Sequence, residues 1–329
     1  MEHNFAEKEQ RIDFCRRVAG EGVVLLKNED NILPLKGKKV AVFGSAQNDQ
    51  VANDGSKVDQ TKAVGITAAI CEAGIEIDKT LYDTYVQWRK DYMLRTNGAW
   101  KQGHFFPEMD VSEELARQTK ARGADTAIIV ITRSSYENSD MNVEKGDYLL
   151  SDTEEEMVQN VCKVFDDVVL LLHIGCSIDL SFLDTCRIKG ILYLNHLGVN
   201  GNPAMAEILT GKINPSGKLT VTLAKRYEDY PSSKTFGQHG GGLLQDYEED
   251  VYVGYRYFES FPEKSRNVVY PFGFGLSYTT FSVTDETFEE KNGEITVTAK
   301  VTNTGKTAGK QVLQLYYAVP QPEDGARLS

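Results

Sequence analysis

The chain has 329 residues, more than one hydrophobic core usually organises, so at least two domains are expected. Asp and Glu number 48 against 36 Lys and Arg, a net charge of -12 that disfavours nucleic acid or an anionic membrane surface as partner and leaves neutral ligands open. Apolar runs such as Val168 to Leu172 fall far short of the roughly 20 residues of a bilayer span, and residues 1–30 are charged throughout with no secretory apolar core, so a cytoplasmic location is expected.

In chain order, an amphipathic helix is predicted first, ending near Gly20 and Gly22. Continuous apolar strands follow at Val23 to Lys27, Lys39 to Phe43, Asp125 to Thr132, Asp167 to His173 and Gly190 to Leu194, the texture of a mostly parallel sheet covered on both faces. Residues 75–122, with Trp88 and Trp100, read as a long insertion holding two helical patches. Ser151 and Glu154 form a capping box that starts a helix running towards Phe165, and a second helix from about Asn202 ends where Gly211 supplies a left-handed cap. Gly240, Gly241 and Gly242 mark a loop. Beyond Phe281 the pattern alternates, predicting antiparallel strands at Ile295 to Asn303 and Gln311 to Tyr317 around a turn at Thr304. About 50 residues remain there, half of what a seven-stranded sandwich requires, so an apolar face is expected to be left uncovered. The fold expected is a layered α/β/α sandwich followed by an incomplete β-sandwich. Its divisions are residues 1–225, an aromatic and glycine-rich linker at 226–280, and 281–329.

Ligands of open α/β sheets collect at the carboxyl ends of strands, which places chemistry in residues 131–152. Glu137, Asp140, Glu144 and Asp147 are the carboxylates of that segment, and without further information a solvated acidic loop is the competing reading. Gly44 to Asn48 follows a strand but lacks G-x-G-x-x-G, so a nucleotide-binding regulatory domain rests on fold analogy alone. His173 and His196 lie at strand ends, where satisfied core histidines are commoner than catalytic ones. Cys15, Cys71, Cys162, Cys176 and Cys186 contain no C-x-x-C pair and read as reduced thiols rather than zinc ligands.

The run from Asp246 to Phe281 is dense in Tyr and Phe with interleaved glycine. Tyr252, Val253, Gly254, Tyr255, Arg256 and Tyr257, then Phe272, Gly273, Gly275, Leu276, Ser277, Tyr278 and Thr279, resemble the stretch that links two domains in family 3 glycoside hydrolases. Glu21 to Glu29 with Leu33 to Leu35 resembles the opening of the family's second domain, and Gly211 to Leu219 its closing G-x-x-N-P-S-G-K-L. The resemblance covers nearly the whole chain, and it implies the start of a fibronectin-like domain after Phe281. It also implies a retaining β-glycosidase, β-glucosidase foremost, acting on a β-linked glucoside or oligosaccharide without a cofactor.

Aligned on Lys145, Gly146 and Asp147, the family's R-x-S-x-E-G-x-D-R places Arg133, Ser135, Glu137 and Asp140 on matching positions. The resemblance therefore implies Glu137 as general acid/base, with Glu144 as the second choice and Arg133 and Asp140 as substrate contacts. Tyr136 and Asn138 stand where glycine is usual, and Met141 where a second arginine is. Val51 to Lys57 replaces a glycine-rich loop that borders the sugar. A retaining enzyme also needs a carboxylate nucleophile about 5 to 5.5 Å from the acid. In this family it is an Asp on a (β/α)8 barrel, for which the chain has no room. A barrel in cis or in trans is thus an expected partner, favoured downstream in a permuted order, with a cut fragment of the usual order as the other reading. Homo-oligomerisation stays open. A non-catalytic carbohydrate-binding or interaction protein with a decayed site is the alternative from another class.

Overall fold

The computed structural model describes residues 5–35, 37–48, 64–99, 104–134, 140–198, 200–236, 244 and 247–317. Helix α1 (Phe5–Gly22) leads into strand β1 (Val24–Asn28), and β2 (Val40–Phe43) follows. Helices α2 (Ile66–Glu72), α3 (Lys79–Arg95) and α4 (Glu113–Ala121) precede β3 (Thr126–Arg133), so the long insertion does hold two helices, α3 and α4. The chain continues through α5 (Asp152–Val164), β4 (Val168–Ile174), β5 (Gly190–Tyr193) and α6 (Gly201–Thr210).

These strands form one sheet in the order β1-β5-β4-β3-β2, with β2 to β5 parallel and β1 antiparallel at the edge beside β5. Each parallel strand is buried along its length, which is why none shows apolar–polar alternation in sequence. Side chains alternate between two cores instead. Phe43, Ile129, Ile131, Leu170 and Leu172 pack against α3, α4 and α5. Val40, Val42, Ile128, Val130, Val169 and Leu171 pack against α2 and α6, with α1 laid outside α6. This is the expected α/β/α layering around a mostly parallel sheet.

Local chemistry accounts for the element ends. The Ser151 hydroxyl accepts from the Glu154 amide while the Glu154 carboxylate accepts from the Ser151 amide, a complete capping box. Gly211 closes α6 at φ 78°, the left-handed conformation glycine adopts without penalty. Gly44, directly after β2, sits at φ 121°, where a Cβ would lie 2.4 Å from the Val130 carbonyl oxygen. Gly44→Ala is therefore expected to cost at least about 1–3 kcal/mol from backbone strain alone. A thermal melt should fall by roughly 5 °C or more, and an unchanged melt would show that the turn relaxes freely.

After α6 the chain forms β6 (Leu223–Ala224), α7 (Tyr255–Ser260), α8 (Pro262–Ser265) and β7 (Val268–Tyr270), with β6 and β7 paired antiparallel. The aromatic segment then returns to the sheet: the Leu276 amide donates to the Leu25 carbonyl at 2.8 Å, and the Tyr278 hydroxyl donates to the Ile208 carbonyl at 2.9 Å. Residues 281–303 form a hairpin of β8 (Phe281–Lys291) and β9 (Glu294–Asn303), turned by Asn292 and Gly293 at positive φ. Here the structure departs from expectation. Gln311 to Tyr317 is not a strand; β9 pairs with β8 instead, and the Tyr316 ring stands edge-on to Tyr255. Phe288, Ile295 and Val297 on the hairpin are exposed. Among the described residues no helix is long and apolar enough to cross a membrane.

Candidate active site

The carboxyl ends of β2, β3 and β4 lie along one edge of the sheet and deliver Gly44–Asn48, Arg133–Ser134 and Ile174–Ser177 to it. Glu137 belongs to residues 135–139, outside the described residues, as do Val51 to Lys57, Trp100 and Gly240 to Gly242. Both ends of its loop are described.

The near end is held by Arg133, whose side chain is fully buried. Its Nε donates to the Asp147 carbonyl at 2.7 Å. Its Nη1 donates to the Thr132 carbonyl and to Glu154 Oε1 at 2.8 and 2.7 Å, and its Nη2 to the Leu149 carbonyl and Glu154 Oε2 at 3.2 and 2.8 Å. A guanidinium has five N–H groups, and these bonds use all of them. No donor is left for the sugar contact that the resemblance implied for Arg133. It acts instead as the clasp of the loop, joining the end of β3 to the first turn of α5 and to both carbonyls of the returning limb.

That limb is a tight turn. The Asn142 amide donates to Asp147 Oδ2 at 2.7 Å, the Gly146 amide to the Leu149 carbonyl at 2.9 Å, and Gly146 adopts φ 87° against the Phe105 ring. Lys145 is drawn outward to Asp152 and Glu155, forming ion pairs on the surface. Glu144 and Asp140 are both exposed on this turn.

A second brace was not foreseen. Residues 104–109 run beside the end of β3, with the Ser134 amide donating to the His104 carbonyl at 3.0 Å and Phe105 bridged to Arg133. The same strap carries Glu108, which accepts from the Ser45 amide at 2.8 Å and from the Met109 amide at 2.9 Å, beside the Tyr85 hydroxyl that receives the Gly44 amide. Burial pushes the Glu108 carboxyl up to about 8, against the pull of those two amides, and the Glu154 carboxylate adds to the rise. Neither Glu108 nor the second role of Glu154 carries a sequence signal: one follows Pro107 in an irregular stretch, and the other reads only as a cap.

The raised Glu108 carboxyl fixes a sign. Its folded value lies above the ordinary 4.5, so its contribution to stability is complete below about pH 4.5 and is lost as pH rises towards and through 8. The midpoint of thermal unfolding should decline over that window, and Glu108→Gln should flatten the decline. The amide will also lower stability throughout, because its NH2 must face one of the two donor amides whereas a carboxylic acid can turn its proton to Tyr85. An equally steep decline in the variant would place the titration elsewhere.

His173 is buried, and burial, with His196 beside it, pushes its imidazole down to about 3, so it stays neutral as a core histidine. Among the described residues no group of three or more His, Cys, Asp or Glu is placed to hold a metal ion.

The structure is thus a three-layer α/β unit with Arg133 clasping an acidic turn at the carboxyl edge of its sheet. Residues 23–278 match the model of the glycosyl hydrolase family 3 C-terminal domain. The chain belongs to glycoside hydrolase family 3. It is 35% identical to β-glucosidase A of Butyrivibrio fibrisolvens, over 96% of this chain and 42% of that protein. It is 28% identical to an exo-α-(1→6)-L-arabinopyranosidase of Bifidobacterium longum, over 96% of this chain and 40% of that protein. In structure it is similar to β-glucosidase 3B of Thermotoga neapolitana, with a TM-score of 0.81 and 35% identity over 92% of this chain and 42% of that one. The chain thus spans about two fifths of the length of each of these three proteins.

Proposed function

We propose that this chain supplies the acid/base half of the active site of a retaining β-glucosidase, with Glu137 as the general acid and then the general base. Asp140 would contact the sugar, and the nucleophile would be an Asp on a (β/α)8 barrel carried in cis or in trans. The observation that carries the reading is the clasped loop. Arg133 on one side and Asp147 to Leu149 on the other hold the two described ends of the loop at the carboxyl edge of the sheet, the edge where ligands of open α/β sheets collect. Glu144 is the weaker choice because its position on the turn is exposed.

The proposed chemistry needs one carboxyl that protonates the leaving oxygen and a second, close by, that forms the glycosyl-enzyme ester. A barrel docked on the carboxyl edge would bring the second and would also desolvate the first, raising its pKa towards the working range. Glucose is favoured as the sugar by the β-glucosidase relatives, with an arabinopyranoside as the second substrate to test.

The test is release of nitrophenol from aryl β-D-glucoside by the chain alone and by the chain fused to a family 3 barrel. No turnover alone and turnover in the fusion is the expected result. A fusion in which both units unfold cooperatively yet which turns over neither the glucoside nor an arabinopyranoside would sink the reading and favour a binding protein.

A further inference from the structure

Residues 104–109, which leave the long insertion, touch both segments that frame the candidate site. The first of them grips the segment after β3. His104 and Ser134 are both buried, the Ser134 amide donates to the His104 carbonyl at 3.0 Å, and His104 Nδ1 donates to the Ser134 carbonyl at 2.6 Å. Facing a carbonyl, that ring nitrogen has to carry its proton. Ser134 is therefore held at both its amide and its carbonyl, three residues before Glu137. Phe105 adds to the grip: its ring centroid lies 5.7 Å from the Arg133 guanidinium, and the ring packs against Gly146.

The other end of the strap grips the segment after β2. Glu108 Oε2 accepts from the Ser45 amide, the Ser45 hydroxyl donates to the Pro107 carbonyl, and Phe106 packs against Ala46. Glu108 Oε1 accepts from the Met109 amide at 2.9 Å, so the same carboxyl also fixes its own backbone. Three successive residues, 106 to 108, thus fasten Ser45 and Ala46, a few positions before Val51 to Lys57 in the chain. All six residues of the strap except Phe105 are buried, and Pro107 fixes a backbone angle between the two grips. A span so short and closely packed passes a shift at one end to the other.

We propose that residues 104–109 set the segments after β2 and after β3 at one fixed separation, with His104 and Glu108 as the two positioning residues. The functional consequence rests on the acid/base reading of Glu137. A substrate resting on the carboxyl edge, between the two segments, meets the carboxyl of the second at a distance that the strap decides. A misplacement of about 1 Å there costs about 10²-fold in rate. His104 and Glu108 each act through the serine they hold, not on the reacting atoms.

The strap is tested by amide hydrogen exchange, read residue by residue in the chain itself. In Glu108→Ala the Ser134 amide, whose own acceptor is untouched, should accelerate about tenfold more than the amides of Leu170 and Leu172 on the central strand β4. In His104→Ala the Ser45 amide, whose acceptor is likewise intact, should do the same. Glu108→Gln keeps one acceptor and should show a smaller excess at Ser134, which decides the matter should the alanine variant fail to fold. Equal acceleration of Ser134 and the β4 amides would reduce Glu108 to a contributor to global stability and overturn the coupling. Release of Ser45 alone, with Ser134 unchanged, would overturn it too. In a barrel-bearing form, Glu108→Gln should lower kcat for an aryl β-glucoside about tenfold or more below the melting range. A residue that serves stability alone leaves kcat and KM of the folded molecule unchanged, and that result would remove the positioning role. A parent fusion that turns over nothing sinks the acid/base reading, and the exchange ratios still judge the strap.

Discussion

Arg133→Met is expected to destabilise the α/β unit by about 3–5 kcal/mol, because it leaves the buried Glu154 carboxylate without its counter-charge. The wild-type pair is bidentate, with both N···O distances at or below 2.8 Å and both side chains almost wholly out of water. The carbonyls of Thr132, Asp147 and Leu149 lose their donors in the same substitution. Equilibrium unfolding in urea is the measurement, with a lowered midpoint at unchanged slope as the expected form. Arg133→Met combined with Glu154→Gln should be about 1–3 kcal/mol more stable than the single variant. The introduced side-chain amide would still accept from the Ser151 amide through its oxygen, and the buried charge would be gone. A double variant as unstable as the single one would mean that the three carbonyls, not the carboxylate, set the cost. The loop between residues 134 and 146 should also become a site of proteolytic cleavage in the single variant, since its clasp is open.

The sheet was legible because its strands are buried on both faces. Val168 to Leu172 and Ala127 to Ile131 are unbroken apolar runs, too short for a buried helix and rich in Val, Ile and Leu, the texture of strands covered on both faces. Ser151 with Glu154, and Gly211, announced the starts and stops of helices because caps are local chemistry. Beyond Phe281 the reading failed in part. Alternation at Gln311 to Tyr317 marks a stretch that could be a strand, yet a strand exists only against a neighbour, and here the partner of β9 is β8. The Asn292-Gly293 turn, which joins β8 to β9 at the tightest spacing a hairpin allows, is the signal that would have given the pairing.

At the site, the position of the loop was legible and the chemistry of its supports was not. The family resemblance implied a substrate contact for Arg133. Its five acceptors are set by tertiary structure: two backbone carbonyls from the far limb, one from its own strand, and a capping glutamate that serves a second partner. Glu108 shows the same limit. Nothing in the sequence around Pro107 indicates that this carboxyl turns inward to collect the amides of Ser45 and Met109. Long-range burial of a polar group leaves no periodicity to read.

In a barrel-bearing form of the protein, Glu137→Gln is expected to reduce turnover of an alkyl β-glucoside by about 10²–10⁴-fold, the usual worth of a general acid–base. The leaving group decides how the loss is distributed. An alkoxide needs the proton, so its glycosidic bond breaks slowly in the variant. A dinitrophenolate leaves without help, so the glycosyl-enzyme still forms. Hydrolysis of that ester needs the same residue as a base to activate water, and glutamine cannot supply one. The variant should therefore release dinitrophenol in a burst of about one equivalent and then turn over slowly, with kcat and KM falling together. On the proposed assignment of both proton transfers to Glu137, Glu144→Gln should leave both substrates within about threefold of the parent. If Glu144→Gln gives the burst and Glu137→Gln does not, the acid/base assignment moves to the turn at Lys145 and Gly146. A uniform loss in Glu137→Gln, independent of the leaving group and without a burst, would instead mark Glu137 as a residue that binds the sugar equally well throughout the reaction.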